Sequence, residues 1–104
     1  MPNRIRSVFL VARQMSTNSS QRIDLTLYSR KFCGLCDHAR DNILSLQSDY
    51  QFNFAVKDID AKENKEWKEK YNYEVPVLHI NDKPAFMNAV PVEDLANILS
   101  QLTK

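Results

Sequence analysis

Glycine, cysteine and long apolar runs are scarce in this sequence of 104 residues. One glycine and two cysteines are too few for a collagenous or linker-like chain, or for a secreted scaffold held by several disulfides. The longest uninterrupted apolar run, 8–12, has five residues, whereas about 18 are needed to cross a bilayer. A formal net charge of +1 provides no extended electric field for the capture of nucleic acid. We therefore expect no nucleic-acid partner and no membrane partner.

The chain has enough apolar material for one small core. Hydrophobic residues account for 43% of it and charged residues for 26%, which is the composition of an ordinary globular domain. A domain of this length holds a single core, so a second domain is excluded. We expect one folded domain, 23–104, that acts as a monomer.

The first 22 residues differ in composition from the rest. They contain four arginines, several serines and no acidic residue. This composition is typical of a mitochondrial transit peptide, and a polar tail without a targeting role is the alternative. A translation start at Met15 would remove most of these arginines, so both a mitochondrial and a cytoplasmic localisation stay open. We treat 1–22 as a disordered or irregular N-terminal extension outside the fold.

From residue 23 onward, strand-like and helix-like patterns alternate. Period-two patterns predict strands at 23–28, 52–56, 75–80 and 85–87, and Pro84 suits an edge strand. Amphipathic stripes predict helices from about Leu35 to Ser48 or Asp49, over 61–71, and from Pro91. The order βαβαββα predicts an α/β domain with a four-stranded mixed sheet flanked by three helices. The last helix is expected to bury Val92, Leu95, Ile98, Leu99 and Leu102.

Cys33-Gly34-Leu35-Cys36 stands between the first predicted strand and the first predicted helix. Two cysteines at this spacing can close a disulfide across a helix N-terminus, where free N–H groups and the helix dipole favour a thiolate. We expect Cys33 to be the exposed nucleophile and Cys36 to resolve the mixed disulfide. In this interpretation Gly34 keeps the turn between them unhindered. The enzymatic interpretation requires both sulfurs to be accessible and within bonding reach of each other.

Basic residues just before the motif are predicted to support the thiolate. Lowering the pKa of a cysteine from about 8.5 to about 6.5 requires roughly 2.7 kcal/mol, and a helix terminus supplies about 0.3 to 1 kcal/mol. Arg30 and Lys31 lie three residues or fewer before Cys33, so we expect their charges to supply part of the rest. Asp37 opposes ionisation if it faces the sulfurs, and at a helix start it can instead cap the helix or face water.

A zinc site and a pair of inert buried cysteines are the alternatives for this motif. The two histidines, His38 and His79, do not complete a usual tetrahedral ligand spacing with the cysteines, so we expect no bound metal. A C-x-x-C at a helix start after a strand is typical of a redox dithiol rather than of inert cysteines. Such a dithiol needs an external thiol reductant and no bound cofactor.

Val75-Pro76 opens the strand after the charged helix. Proline is tolerated at the start of a strand, and most X-Pro bonds are trans. A cis bond here would expose the Val75 backbone to an extended ligand placed against Cys33, so Val75 and Pro76 are candidate substrate-binding residues. The sequence alone leaves the isomer open.

These residues together resemble the thioredoxin-fold superfamily, and most closely its glutaredoxin-like branch. The similarity covers about 23–102 and includes the first strand, the C-x-x-C motif, Val75-Pro76 and the hairpin turn 81–84. It implies a thioredoxin-like fold, a cis bond before Pro76, and a contact between Arg30 and glutathione. Thioredoxin itself is less similar, because Phe32 replaces its tryptophan, Leu35 the proline of its motif and Leu27 its buried acid.

Two positions depart from the glutaredoxin pattern. In an ungapped count from Pro76, the glycine pair that approaches glutathione falls at Phe86-Met87, whose side chains are large. Leu35 also replaces the usual aromatic residue of the motif. The substrate preference of glutaredoxins is therefore not transferred to this chain.

The resemblance implies a glutaredoxin-like thiol-disulfide oxidoreductase. Its substrates would be disulfide-bearing proteins or glutathione adducts, and glutathione or another thiol would be the reductant. Two other classes remain open: an iron-sulfur or metal carrier in which Cys33 is a ligand, and a thioredoxin-like adaptor with little turnover.

Overall fold

The computed structural model describes residues 22–103. Their strands and α-helices follow in the order β1 (Asp24–Ser29), α1 (Gly34–Leu44), β2 (Asn53–Asp58), α2 (Lys65–Tyr71), β3 (Val77–Ile80), β4 (Lys83–Met87) and α3 (Val92–Leu102), with a 3₁₀ helix, Lys62–Asn64, before α2. The sheet order is β2-β1-β3-β4. β1 is parallel to β2 and antiparallel to β3, and β3 is antiparallel to β4. The predicted mixed sheet with three helices is confirmed, whereas the transit-peptide and alternative-start predictions lie outside the described residues.

Strand alternation divides the apolar side chains between two clusters, one on each face of the sheet. Leu25 and Leu27 of β1 pack with α1 and α3 in the larger cluster. Tyr28 of β1 and Val77 of β3 belong to a second cluster, which includes Tyr71 of α2. All four residues of β3 are buried, because this inner strand is covered on both faces.

The end of α1 and the start of α3 differ from the sequence prediction, and α2 begins at Lys65, after the 3₁₀ helix Lys62–Asn64, rather than at 61. α1 ends at Leu44 rather than near Ser48 or Asp49, because the Ser45 hydroxyl donates to the Asn42 carbonyl and the following N–H groups bond to carbonyls three residues back. At the other boundary, Pro91 is the N-cap of α3, with extended backbone, so the helix itself begins at Val92.

The buried stripe of α3 is shorter than predicted. Leu95 and Leu99 are fully buried, and Val92 and Ile98 pack partly against the larger cluster. Leu102, in the last turn, is exposed because the helix has passed the core there. Within residues 22–103, no helix has the length and apolarity that a membrane crossing demands.

The sheet has edges at β2 and β4. Val56 of β2 is half-exposed despite its apolar side chain, because β2 is an outer strand of the sheet that residues 22–103 form. Pro84 lies in β4, which confirms the predicted edge position. The β3–β4 register shifts between Leu78 and His79, so that Ala85 forms a bulge in β4.

Candidate active site

Cys33 is the N-cap residue of α1. Its backbone is extended, with φ −118° and ψ 102°, and the helix begins at Gly34. The Cys36 N–H donates to Cys33 Sγ at 3.1 Å, and the Asp37 N–H donates to the Cys33 carbonyl oxygen at 3.0 Å. The first sulfur therefore occupies the position that a Ser or Asp side chain usually takes at a helix start.

Cys33 and Cys36 form a disulfide, with their Cα atoms 5.2 Å apart. The predicted juxtaposition of the two sulfurs is therefore present. Their exposure differs, because Cys33 is half-buried and Cys36 is only 2% exposed. The expectation that both sulfurs are accessible is wrong for Cys36. Burial does not prevent resolution, because Cys36 needs to reach only the sulfur of Cys33.

Gly34 is not required for the turn between the cysteines. A Cβ atom at this position would meet no heavy atom within 4 Å, and its φ is not positive. The expectation that glycine keeps this turn unhindered is therefore wrong, because the side chain would point into open space.

Two apolar residues of the motif region are strongly exposed. Phe32 has the accessibility of a free side chain, at 105%, and its φ of 58° lies in the left-handed region that bulky residues rarely adopt. Leu35 is 62% exposed. Exposed apolar side chains thus lie on both sides of Cys33 in sequence.

The Arg30 guanidinium is held by residues outside the motif. Nε and Nη2 donate to the two carboxylate oxygens of Asp60 at 3.0 and 2.8 Å, and Nη1 and Nη2 donate to the carbonyl and side-chain oxygens of Asn72 at 2.9 Å. The hydrogen bonds to Asp60 are the main cause that raises the pKa of Arg30, and hydrogen bonds from Arg30 and then Lys68 lower the pKa of Asp60 to about 2. These four hydrogen bonds of Arg30 go to Asp60 and Asn72, so none of them provides the support that we expected for a Cys33 thiolate. No sequence pattern pointed to Asp60 as the partner of Arg30, because the two residues lie 30 positions apart.

A cleft of about 390 Å³ lies beside the motif. Its walls are formed by residues that flank the motif, not by the four motif residues themselves, and include Phe32 and five charged residues: Arg30, Lys31, Asp37, Arg40 and Asp58. Asp37 is exposed and pairs with Arg40 at 3.5 Å. Its charge is therefore partly compensated, which weakens the predicted opposition to thiolate formation. The thiolate-supporting and substrate-binding roles of Lys31 stay predictions.

The Val75–Pro76 peptide bond is cis, as the resemblance implied. Because Tyr28 of β1 pairs with Val77 of β3, Pro76 lies beside the end of β1 that leads to Cys33. Pro76 is buried and Val75 is half-buried. The substrate-binding role predicted for these two residues stays a prediction.

The ungapped count placed the position of the glutaredoxin glycine pair at Phe86 and Met87, near the end of β4. Phe86 packs against the larger core cluster and Met87 is half-exposed. The left-handed backbone that glycine favours occurs at Asn88, with φ 72°. The Asn88 N–H donates to the Pro76 carbonyl at 2.8 Å, so this turn lies against the cis-proline segment.

His79 is packed in an aromatic cluster rather than free for metal binding. Tyr71 Oη and His79 Nε2 lie 2.7 Å apart, and both residues are buried. Burial is the main cause that lowers the pKa of His79. Within residues 22–103, no three His, Cys, Asp or Glu side chains form a set that could hold a metal ion.

Comparison with known proteins identifies the family. The model of the glutaredoxin-like domain family (DUF836) matches residues 24–100. The Dictyostelium discoideum "Glutaredoxin-like protein YDR286C homolog" is 30% identical over 95 residues, which cover 84% of this chain and 88% of that protein.

Solved structures agree with this match. Protein Ne2328 from Nitrosomonas europaea is 25% identical, with a TM-score of 0.65 over 86% of this chain and 99% of that chain. Oxidised thioredoxin O2 from Arabidopsis thaliana shares the fold, with a TM-score of 0.61 and 24% identity over 84% of this chain and 79% of that chain. The protein is therefore a member of the glutaredoxin-like family with a thioredoxin-like fold, and it carries a cysteine pair at disulfide distance.

Proposed function

We propose that the protein is a thiol-disulfide oxidoreductase that reduces protein disulfides or glutathione mixed disulfides. The observation that carries this proposal is the Cys33–Cys36 disulfide at the N-terminus of α1. The family match supports the same chemistry.

The different burial of the two sulfurs supports different roles. Cys33 is reachable from solvent and Cys36 is not, so Cys33 is the attacking residue and Cys36 the resolving residue. After reduction, the Cys36 N–H that contacts Cys33 Sγ stabilises a thiolate there, because a hydrogen bond to the charged form favours ionisation.

The reaction proceeds in two exchange steps. The Cys33 thiolate attacks one sulfur of the substrate disulfide, forms a mixed disulfide and releases the other substrate sulfur as a thiolate, which takes a proton from water. The Cys36 thiol loses its proton and attacks Cys33 Sγ, which releases the second substrate thiolate and leaves the internal disulfide. Two electrons pass to the substrate. Two molecules of glutathione or another thiol then reduce the Cys33–Cys36 bond by two successive exchanges and leave as their own disulfide, which returns two electrons to the protein.

Matched cysteine variants test the roles. Cys33→Ser should abolish reduction of a protein disulfide such as that of insulin. Cys36→Ser should retain the first step and accumulate a mixed disulfide with the substrate, visible as a heavier band on a non-reducing gel. Full turnover in Cys33→Ser would refute the assignment of the nucleophile.

The other function classes give different results in the same preparation. An iron-sulfur carrier purified without oxygen would be brown and would lose its absorbance in Cys33→Ser. An adaptor would show an intact, reducible Cys33–Cys36 bond without turnover of any disulfide.

A further inference from the structure

The two outer strands of the sheet differ in how well they are protected against pairing with another strand. β4 contains Pro84, which has no N–H to donate, and its pairing with β3 is interrupted by a bulge. Proline and bulges on an outer strand hinder its pairing with another chain. β2 has neither feature, because its six residues pair with β1 in one continuous register and include no proline. Within residues 22–103, β2 is therefore the outer strand that can accept a further strand.

The hydrogen bonds between β2 and β1 show which backbone groups of β2 face outward. The N–H groups of Asn53, at the start of β2, and of Ile59, just after its end, donate to carbonyl oxygens at the two ends of β1, at 2.8 and 2.9 Å. In a strand that pairs in this way, every second residue directs its N–H and C=O groups to the same neighbour. The N–H and C=O groups of Phe54 and Val56 therefore point away from β1.

The side chains of these two residues form a short apolar strip along the same edge. Phe54 is half-buried against the larger core cluster, and Val56 is 48% exposed. Both lie on the face of the sheet that α1 and α3 cover, because they pair in register with Leu25 and Leu27. The edge thus combines outward backbone groups with apolar side chains that a further strand would cover.

We propose that β2 is a homodimer interface, in which it pairs antiparallel with β2 of a second copy around a two-fold axis at Ala55. Phe54 of each copy then lies opposite Val56 of the other, and their outward groups exchange four hydrogen bonds. The two Ala55 residues meet at the axis in a non-hydrogen-bonded pair, where the Cα atoms approach to about 4.5 Å and small side chains fit. A register shifted by two residues would instead place Phe54 opposite the Asp58 carboxylate, so apolar matching favours the register centred on Ala55.

The charges on the other face of β2 favour a second copy as the partner. In the proposed register, Lys57 of each copy lies opposite Asn53 of the other, and the Asn53 side chain donates to the Asp24 carboxylate at 2.8 Å. A cation of one copy therefore approaches an anion of the other at both ends of the pair, and no like charges lie directly opposite each other. Arg22 contacts the same carboxylate at 3.5 Å, but 44% of the Asp24 side chain stays exposed to a second cation.

This dimer replaces the monomer that we expected from the sequence, and it does not depend on the proposed oxidoreductase function. One pair of six-residue strands makes a small interface, so the dimer should dissociate on dilution, as weak complexes of this size do. Because the two β2 strands run in opposite directions, the two Cys33–Cys36 pairs lie at opposite ends of the joined sheet. Each reactive cysteine consequently stays free to meet a substrate.

Sedimentation velocity of the full chain, at rising protein concentration and in excess thiol reductant, tests this interface. We expect a monomer in dilute samples and a dimer in concentrated ones. Val56→Pro removes one outward N–H from each copy and keeps the N–H groups that face β1. Two of the four hydrogen bonds are then lost, so the dissociation constant should rise by roughly tenfold or more. Val56→Lys places a charge in the apolar pair and should weaken the dimer by at least the same factor, even if the proline variant folds poorly.

Leu102→Lys is the matched control. Leu102 is 38% exposed and lies beside β4, at the other edge of the sheet, so this variant should leave the dissociation constant unchanged. A chain that stays monomeric at every concentration would refute the interface, as would a dimer that both Val56 variants leave intact. Neither result changes the reduction of insulin, which tests the oxidoreductase function separately.

Discussion

The hydrogen bond between Tyr71 and His79 provides a sharp test of the second apolar cluster. Tyr71 is 1% exposed and His79 5% exposed, and Tyr71 Oη lies 2.7 Å from His79 Nε2. Tyr71→Phe keeps the ring and its stacking on Trp67, whose centroid is 5.8 Å away, and removes only the hydroxyl. The variant therefore isolates the contribution of one buried hydrogen bond.

The expected loss follows from the unpaired nitrogen that the substitution leaves behind. A buried polar group without a partner costs about 1 to 3 kcal/mol. For a domain of this size, each kcal/mol lowers the midpoint of thermal unfolding by about 4 to 8 °C. We expect Tyr71→Phe to lower the free energy of unfolding by about 1 to 3 kcal/mol.

Urea unfolding at pH 7.5 measures this loss. The slope of the free energy of unfolding against urea concentration should be the same in the variant and the unmodified protein. Tyr73→Phe is the matched control, because Tyr73 is 89% exposed and its hydroxyl faces solvent; it should change the free energy by less than about 0.5 kcal/mol. A loss in Tyr71→Phe no larger than that in Tyr73→Phe would show that the buried pair does not contribute as described.

Two further predictions concern pH and the motif. Burial lowers the pKa of His79 in the folded protein. Below about pH 6.5 the unfolded chain therefore binds a proton at His79 more readily than the folded protein does. The free energy of unfolding should consequently fall by up to about 1.4 kcal/mol per pH unit as the pH drops from 6.5. Urea unfolding at pH values from 7.5 to 5.5 should show this decrease in the free energy of unfolding. The decrease should be smaller in His79→Gln and unchanged in His38→Gln. Equal decreases in the two variants would contradict the assignment to His79. Gly34→Ala should preserve the disulfide and stabilise the protein by up to about 1 kcal/mol, since the added methyl meets nothing within 4 Å. Thermal unfolding and thiol counting test this, and a destabilised or non-oxidising variant would disprove it.

The sequence predicted the sheet because its strands carry strong local patterns. Leu25 and Leu27 alternate with polar residues, and both are buried as the period-two pattern requires. The end of α1 was less predictable, because Leu46 continues the apolar spacing but lies in the tight turns after the helix. Periodicity reports burial, and it does not report where α-helical hydrogen bonding stops.

The parts of the site that were missed depend on distant contacts. The motif and its position at a helix start were visible in 33–36, but the partner of Arg30 is Asp60, brought close only by the pairing of β1 with β2. The exposure of Phe32 and its left-handed backbone are not signalled by any sequence pattern. The turn at Asn88 has a left-handed backbone that the sequence analysis did not anticipate, although asparagine tolerates it better than most residues.

Equilibration with glutathione redox buffers, followed by acid quench and intact mass, tests the Cys33–Cys36 couple most directly. We predict two dominant species, the dithiol and the internal disulfide, whose proportion follows the buffer potential. In Cys36→Ser the oxidised species should be an adduct of one glutathione on Cys33. A chain that forms no internal disulfide at any buffer ratio, or whose Cys33 stays unmodified throughout, would contradict the central claim.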